Sequence, residues 1–220
     1  MSALNHNRVV RELRAELPPG NPERVRSLLA GVADRAADHG LLDVGYGPVD
    51  SPLGRLLVAA TPVGVVRVGF ESEPEEQILG ELAARVSPRV LKAPRLVDAA
   101  RRQLNDYFEG ALVEFQLPLD WRLTAGFRRQ VLRATSRIPY GSTRTYREVA
   151  TTAGSRKAVR AAGTALATNP LPIIVPCHRV LRTDGGLGGY RGGTAAKRAL
   201  LDHEQTQAPG GSDGSPGGRP

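Results

Sequence analysis

The chain of 220 residues contains one cysteine, Cys177. That scarcity excludes an internal disulfide and any zinc site built from several thiolates, and no metal is expected. Long apolar runs are also missing: none reaches the roughly 18 residues that a membrane span requires. The opening "MSALNHNRVVRELRAELPPG" lacks the apolar segment of a secretory signal. A reducing cytoplasm, where a free thiol survives, is the expected setting, with no membrane partner. No internal repeat is visible, which leaves one large domain or two small ones, long enough to bury a respectable core. Acidic residues are scarce in one half only. Residues 1–118 carry 14 Lys and Arg against 16 Asp and Glu, whereas residues 119–220 carry 16 against 6. A field of one sign over half a chain suits a polyanionic partner, nucleic acid first; an Arg-rich chain with ordinary solvated faces has the same balance.

Residues 1–43 read as a helical extension. "PERVRSLLAGVADRAADHGLL" sets Val25, Leu28, Leu29, Val32 and Ala36 at helical spacing. From residue 44 the period changes. Residues 56–60 and 65–70 are β-rich runs split by Thr61, Pro62, Val63 and Gly64, a hairpin signal. "EEQILGELAARV" and "RLVDAARRQLNDYFEG" read as helices, the second stopped by Gly110, and "VEFQLPLDW" as a further short strand. Together they predict a small α+β domain at 44–118. From residue 125 the chain is mostly helical. "AGFRRQVLRATSRI" places Phe127, Val131, Leu132 and Thr135 on one face. Thr145 and Glu148 fit a capping box opening a helix that runs to Ala153 and stops at Gly154. Ser155 is placed to cap the next helix, "RKAVRAAGTALAT". Two short helices across a glycine turn make a helix-turn-helix candidate. The Gly, Pro and Ser-rich tail, 208–220, reads as disordered.

Most of that second helix is small: Ala158, Ala161, Ala162, Gly163, Ala165 and Ala167. Small side chains suit tight packing on a neighbouring helix. They equally let a backbone approach DNA, and Arg156, Lys157 and Arg160 on the same helix favour that reading. A slim helix with a long Arg suits a groove in which Arg fills the place of an extruded base.

Cys177 sits in "IIVPCHRV". A thiol reacts as thiolate, so a reactive cysteine is expected to have its pKa lowered by a cation, a helix N-terminus or a base. His178 is adjacent. Neighbours on an extended strand point to opposite faces, so a Cys177–His178 relay needs a turn or a bridging water. An acid to orient His178 has few sources downstream: Asp184, Asp202, Glu204 and Asp213. Glu204, at the end of "AAKRALLDHE", is the first choice. On residue grammar alone Cys177 is as readily a buried structural cysteine. "RTDGGLGGYRGG" has six glycines between 184 and 193. It lacks the ending of a phosphate loop but lets backbone approach a flat ligand, with Tyr190 available to stack. A plain flexible linker is the alternative.

"NPLPIIVPCHRV", "GGLGGYRGG" and "LLDHE" together resemble the O6-alkylguanine-DNA alkyltransferase family, the methylated-DNA–protein-cysteine methyltransferases. The likeness continues through "FRRQVLRATSRIPYGSTRTYREVATTAGSRKAVRAAG", and more weakly through "DSPLGRLLVAAT" and "LNDYFEGALVEFQLPLD". It spans about residues 44–205. The resemblance implies an α+β chain: a small N-terminal α/β domain of ribonuclease H-like fold at 44–118, then a mostly helical DNA-binding domain at 119–207. It implies DNA repair without a cofactor, by a protein expected to be a monomer acting on double-stranded DNA. An O6-alkylguanine (and O4-alkylthymine) would be flipped out and its alkyl group moved irreversibly to Cys177. By the same likeness His178 is the base through a water and Glu204 its orienter. Tyr146 donates to the guanine N3, and Asn169 braces the cysteine turn. Arg160 is the finger replacing the flipped base, and Ser155, Arg156, Lys157, Ala158 and Tyr146 contact DNA. Pro172, Val180, Tyr190 and Arg191 line the pocket. Arg191 departs from several relatives, which have a small hydroxyl residue there.

A cysteine hydrolase using Cys177, His178 and Glu204 is the competing enzyme class, although its cysteine and histidine would normally lie far apart in sequence. A non-enzymatic damage-binding protein is the other alternative. Relatives of that type lack the acceptor cysteine, which this chain retains.

Overall fold

The computed structural model describes residues 39–207, together with Gly31, Arg35 and Ala36. Most of the expected helical extension at 1–43, and the tail at 208–220, lie outside the described residues.

Strands β1 (Val44–Val49), β2 (Leu56–Thr61), β3 (Gly64–Gly69) and β4 (Val90–Lys92) form one sheet in the order β3-β2-β1-β4. β2 and β3 are the expected hairpin, and β1 and β2 also pair antiparallel. β4 joins β1 in parallel after helix α1 (Glu75–Arg85). The β2–β3 register shifts between Ala59 and Ala60, leaving Val66 as the extra residue. The bulge turns Val66 and Arg67 toward the same side. Val66 packs there with Ile78 and Leu82 of α1, and Arg67 reaches Glu81 of α1. The opposite face carries Leu56, Val58, Val65 and Val68.

That second face is covered by α2 (Asp98–Phe108), through Ala100, Leu104 and Tyr107, and by the helical half of the molecule. The helical half contains α3 (Gly126–Thr135), α4 (Tyr146–Thr152), α5 (Val159–Ala167) and α6 (Gly193–Gln207). A two-residue parallel pair, β5 (Arg144–Thr145) and β6 (Val180–Leu181), ties the start of α4 to the segment after Cys177. One apolar cluster runs from Val49 and Leu104 through Val131, Leu132, Ala162 and Leu166 to Cys177 and Leu200. The cysteine therefore sits in a continuous core, and each apolar side chain enclosed there contributes about 1.5–3 kcal/mol.

The capping box forms as expected. Glu148 N–H donates to Thr145 Oγ1, and Thr145 N–H donates to the Glu148 carboxylate. Gly154 ends the turn after α4 at φ +93°. Two expectations need correction. "VEFQLPLDW" is not a strand; it makes a single bridge, Leu119 to Val65. Pro118 offers no N–H, and the Gln103 side chain takes both the N–H and the carbonyl of Gln116, which a neighbouring strand would otherwise use. Ser155 does not cap α5. Its carbonyl instead accepts from Ala158 N–H at 3.0 Å in a turn, and α5 begins at Val159 without a side-chain cap. Arg156 and Lys157 consequently lie on that turn, exposed, ahead of the helix.

Candidate active site

Cys177 stands at the end of a braced turn. After α5 the chain folds back on itself, and Ile173 takes φ +73°, the sole non-glycine in the left-handed region among the described residues. For a β-branched residue that costs on the order of 1–3 kcal/mol. Asn169 offsets it. Its Oδ1 accepts from Leu171 N–H (2.9 Å), and its Nδ2 donates to the Val175 carbonyl (3.0 Å) and to Cys177 Sγ (3.2 Å). At about 1 kcal/mol for each such bond, the brace matches the strain it holds. Residues Cys177–Arg179 then form a 3-10 turn in place of a strand, which supplies the turn that a relay between neighbours needs.

His178 is fully buried, and its Nε2 lies 2.7 Å from Glu204 Oε1. A carboxylate can only accept, so Nε2 carries the proton and Nδ1 presents a lone pair. Nδ1 is buried and has no hydrogen-bond partner among the described residues. Glu204 is held from four directions. Arg179 Nε and Nη2 donate to it at 2.8–3.1 Å, Tyr107 Oη donates at 2.8 Å and Gly141 N–H at 3.1 Å, besides His178. Burial alone would raise this carboxyl; the hydrogen bonds from His178 and Arg179 instead hold it at about 2. His178 moves the other way. Burial pulls it below its ordinary value despite Glu204, so it is a neutral base at neutral pH.

The thiol does not follow the expectation of a lowered pKa. Burial pushes Cys177 up to about 11, against the lowering pull of the Asn169 hydrogen bond and the Lys197 charge. Lys197, itself fully enclosed, is pulled down to about 8 by burial. Its Nζ donates to the carbonyls of Val180 (2.5 Å) and Leu187 and lies 5.7 Å from the Tyr146 ring centroid.

Tyr146 opens α4, half-buried, and its phenol is raised first by burial and then by the charge that would form on Cys177. It stays a hydrogen-bond donor. The glycine-rich strap passes directly over it. Gly188, at φ +67°, has no room for a Cβ, which would overlap the Tyr146 hydroxyl. Tyr146, Arg147, Arg160, Gly163, Arg182 and Gly188 line an open cleft of about 440 Å³. Arg160 is exposed on α5 beside this cleft. Tyr190 is buried edge-on to His178 (6.3 Å) and to Phe70 (5.7 Å). Pro172 and Val180 are buried next to the cysteine turn.

The structure thus gathers Cys177, His178, Glu204, Asn169, Tyr146 and Tyr190 about one centre. Sequence reasoning overlooked Arg179, Tyr107, Gly141 and Lys197. Lys197 had a signal: with Leu200, Leu201 and Glu204 it repeats at the spacing of one buried helix face, where a lysine and a glutamate are out of place. Tyr107 had none, since it reads as core of a different domain.

Family models match both halves: "6-O-methylguanine DNA methyltransferase, ribonuclease-like domain" over residues 44–121 and the "DNA binding domain" of the same name over 126–206. The chain belongs to the O6-methylguanine-DNA methyltransferase family. It is 42% identical over 166 residues to the methylated-DNA–protein-cysteine methyltransferase of Mycobacterium tuberculosis, covering 76% of this chain and 95% of that one. It is 38% identical over 156 residues to the constitutive enzyme of Bacillus subtilis, covering 71% and 92%. The crystal structure of the Mycobacterium tuberculosis O6-methylguanine methyltransferase aligns with a TM-score of 0.66 at 39% identity, over 76% of this chain and 96% of that one. A further crystal structure of that relative, in complex with DNA, gives the same score at 38% identity. The ribonuclease-like half followed by the helical DNA-binding half is the fold of this family. Among the described residues no helix is long and apolar enough to cross a membrane, and no group of three or more His, Cys, Asp or Glu is placed to hold a metal.

Proposed function

We propose that Cys177 accepts the alkyl group of an O6-alkylguanine (or O4-alkylthymine) flipped out of double-stranded DNA, once per protein molecule. The observation that carries this reading is the His178–Glu204 bond beside Cys177, which leaves the imidazole Nδ1 lone pair buried and available. The thiol proton passes to His178, through a water. The S–C bond forms as the C–O6 bond breaks, and that electron pair stays on the guanine. A hydrogen bond from Tyr146 to N3 stabilises the charge as it builds. The guanine then takes up a proton and His178 returns its own to solvent. The thioether product resists hydrolysis, so the protein is consumed. No cofactor enters this balance, the acting species is a monomer, and a reducing cytoplasm preserves the thiol. One equivalent of duplex carrying O6-methylguanine is expected to add one methyl mass to the intact protein, located on the Cys177 peptide. Sustained turnover over many equivalents would refute the single-use reading.

In the same reading Arg160 fills the stack when the base leaves, and Ser155, Arg156, Lys157 and Ala158 meet the DNA beside it. Base extrusion costs a few kcal/mol, which stacking and pocket contacts offset. A finger and a phosphate contact separate by experiment. Arg160→Ala is expected to slow repair of duplex DNA while leaving the reaction with free O6-methylguanine unchanged, because the free base needs no flipping. A phosphate contact would instead weaken all DNA binding and lower the salt slope by about one unit. Equal loss on duplex and free base would assign Arg160 to the fold.

A further inference from the structure

Arg191 follows Tyr190 in the glycine-rich strap, yet its guanidinium crosses to the other half of the molecule. Its Nε donates to Glu73 Oε2 at 2.8 Å. Nη1 donates to the Thr168 carbonyl at 3.2 Å and reaches the Asn169 carbonyl at 3.5 Å. Nη2 lies 4.0 Å from Glu81. Glu73, just after β3, is a fixed post: buried Arg67 donates to the same Oε2 at 2.5 Å, and Phe70 N–H donates to Oε1 at 3.0 Å. Burial would push this carboxyl up, but the Arg67 charge and these hydrogen bonds outweigh it and hold it below its ordinary value. The neighbours of Arg191 rest on the same place. Tyr190 packs edge-on against Phe70, and Gly192 lies so close to that ring that a Cβ would overlap it.

Elsewhere the strap is held by Lys197, whose Nζ donates to the Leu187 carbonyl, by a turn in which Arg182 N–H donates to the Gly186 carbonyl at 2.7 Å, and by Tyr146 against Gly188. Between the end of β6 at Leu181 and the start of α6 at Gly193 it belongs to no helix or strand. Six of the ten residues from 184 to 193 are glycine, and a chain so rich in glycine resists displacement only through its tethers. Two of those tethers, Tyr190 and Arg191, stand at the end nearest His178 and the Asn169 turn.

We propose that Arg191 is a positioning residue: with Glu73 it clamps the strap against the Asn169 turn and thereby limits the size of the alkyl group that reaches Cys177. The inference rests on Cys177 being the alkyl acceptor, as proposed above. A methyl group asks for little room beside the thiol. A benzyl group requires the strap to move outward, so its reaction alone bears the cost of breaking the clamp. Arg191 and Glu73 are 22% and 17% exposed, so the tie is partly screened and its contribution modest.

The test uses free O6-methylguanine and free O6-benzylguanine, which remove DNA binding and flipping from the comparison. Arg191→Ala is expected to raise the benzyl-to-methyl rate ratio roughly three- to tenfold, the range for losing one partly buried charged hydrogen-bond group. Glu73→Gln should shift the ratio the same way, and the double variant should add little to Arg191→Ala, since both remove one interaction. Arg191→Lys keeps a point charge for Glu73 without the fork that reaches the carbonyls, and should fall between. An unchanged ratio, or two rates falling in parallel with the melting temperature, would reduce Arg191 to a structural tie and overturn the proposal. Should Arg191→Ala not fold, Arg191→Lys and Glu73→Gln carry the same comparison. A wild-type protein alkylated by neither base would overturn the acceptor reading, and the clamp with it.

Discussion

Cys177→Ala is expected to take up no methyl group while binding methylated duplex as wild type does. Cys177 is the sole thiol of the chain, and a thiol is the soft nucleophile that displacement at an alkyl carbon requires. The variant should fold. Removing the thiol leaves a small cavity in a site that is 2% exposed, at a cost of about 1 kcal/mol. One Asn169 Nδ2 hydrogen loses its acceptor, a further cost of about 1 kcal/mol, while the other keeps its bond to the Val175 carbonyl and the turn stays braced. Binding should survive because the exposed residues of α5 and the turn before it do not touch Cys177. The resting thiol also has a testable property. With its pKa pushed up to about 11, only about one molecule in 10⁴ is a thiolate at pH 7. A small alkylating reagent should therefore label wild type slowly and without a plateau near neutral pH, whereas a bound guanine substrate reacts through the His178 relay. Fast labelling at pH 7 would show a preformed thiolate and remove the need for that relay. Methyl uptake by the Ala variant would place the acceptor elsewhere.

The capping box at Thr145 and Glu148 and the β2–β3 hairpin were legible because each is local: its signal lies within a few adjacent residues. β1 was hidden for a reason that only the fold supplies. "VGYGPV" holds two glycines and a proline, which read as breakers. A Cβ at Gly45 would strike Leu96, and one at Gly47 would press on Pro94 and Val97, so the strand needs glycine where the 94–97 segment crosses it. The short β4 follows Pro88 and pairs only with β1, so nothing local announced it. The expectation for "VEFQLPLDW" failed because period and composition do not show that Gln103, on a helix, satisfies its backbone. The site divides the same way. Cys177, His178 and Glu204 were legible by chemistry and motif. The environment that reverses the expected thiol pKa was not, since complete burial comes from packing among residues as distant as Val49 and Leu200. Arg179 was overlooked because its grip on Glu204 depends on a 3-10 turn that the apolar run before Cys177 gave no reason to expect.

Glu204→Gln is expected to slow alkyl transfer by 10²–10⁴-fold, about the contribution of a positioned acid–base group, and to destabilise the fold as well. Both effects follow from the same oxygens. Glu204 Oε1 accepts from His178, Tyr107 and Arg179 together. An amide offers one acceptor oxygen and sets an NH₂ against these donors. Arg179 would then be a buried charge without its anion, a change that typically costs about 3–5 kcal/mol. Loss of rate must be separated from loss of fold. Glu204→Asp keeps the charge for Arg179 but draws it back from His178, so it should fold closer to wild type and still transfer slowly. The pH dependence supplies the second discriminator. Glu204 raises His178 through a hydrogen bond and through its charge, so its removal lowers His178 further and weakens the base. The Gln variant must then rely on direct ionisation of the thiol, and its rate should climb as pH rises toward about 11. Wild-type rate should be much flatter across neutral pH. Stability follows the opposite end of the scale. The carboxyl is held at about 2, below its ordinary value, so its stabilisation is fully present above the ordinary carboxyl range near 4.5 and is lost as pH falls through about 2. Unfolding of wild type should steepen below pH 4.5, and that part of the acid dependence should disappear in Glu204→Gln. A Gln variant with wild-type rate at neutral pH, or with a pH–rate profile parallel to wild type, would remove Glu204 from the relay and leave it as the anchor of Arg179.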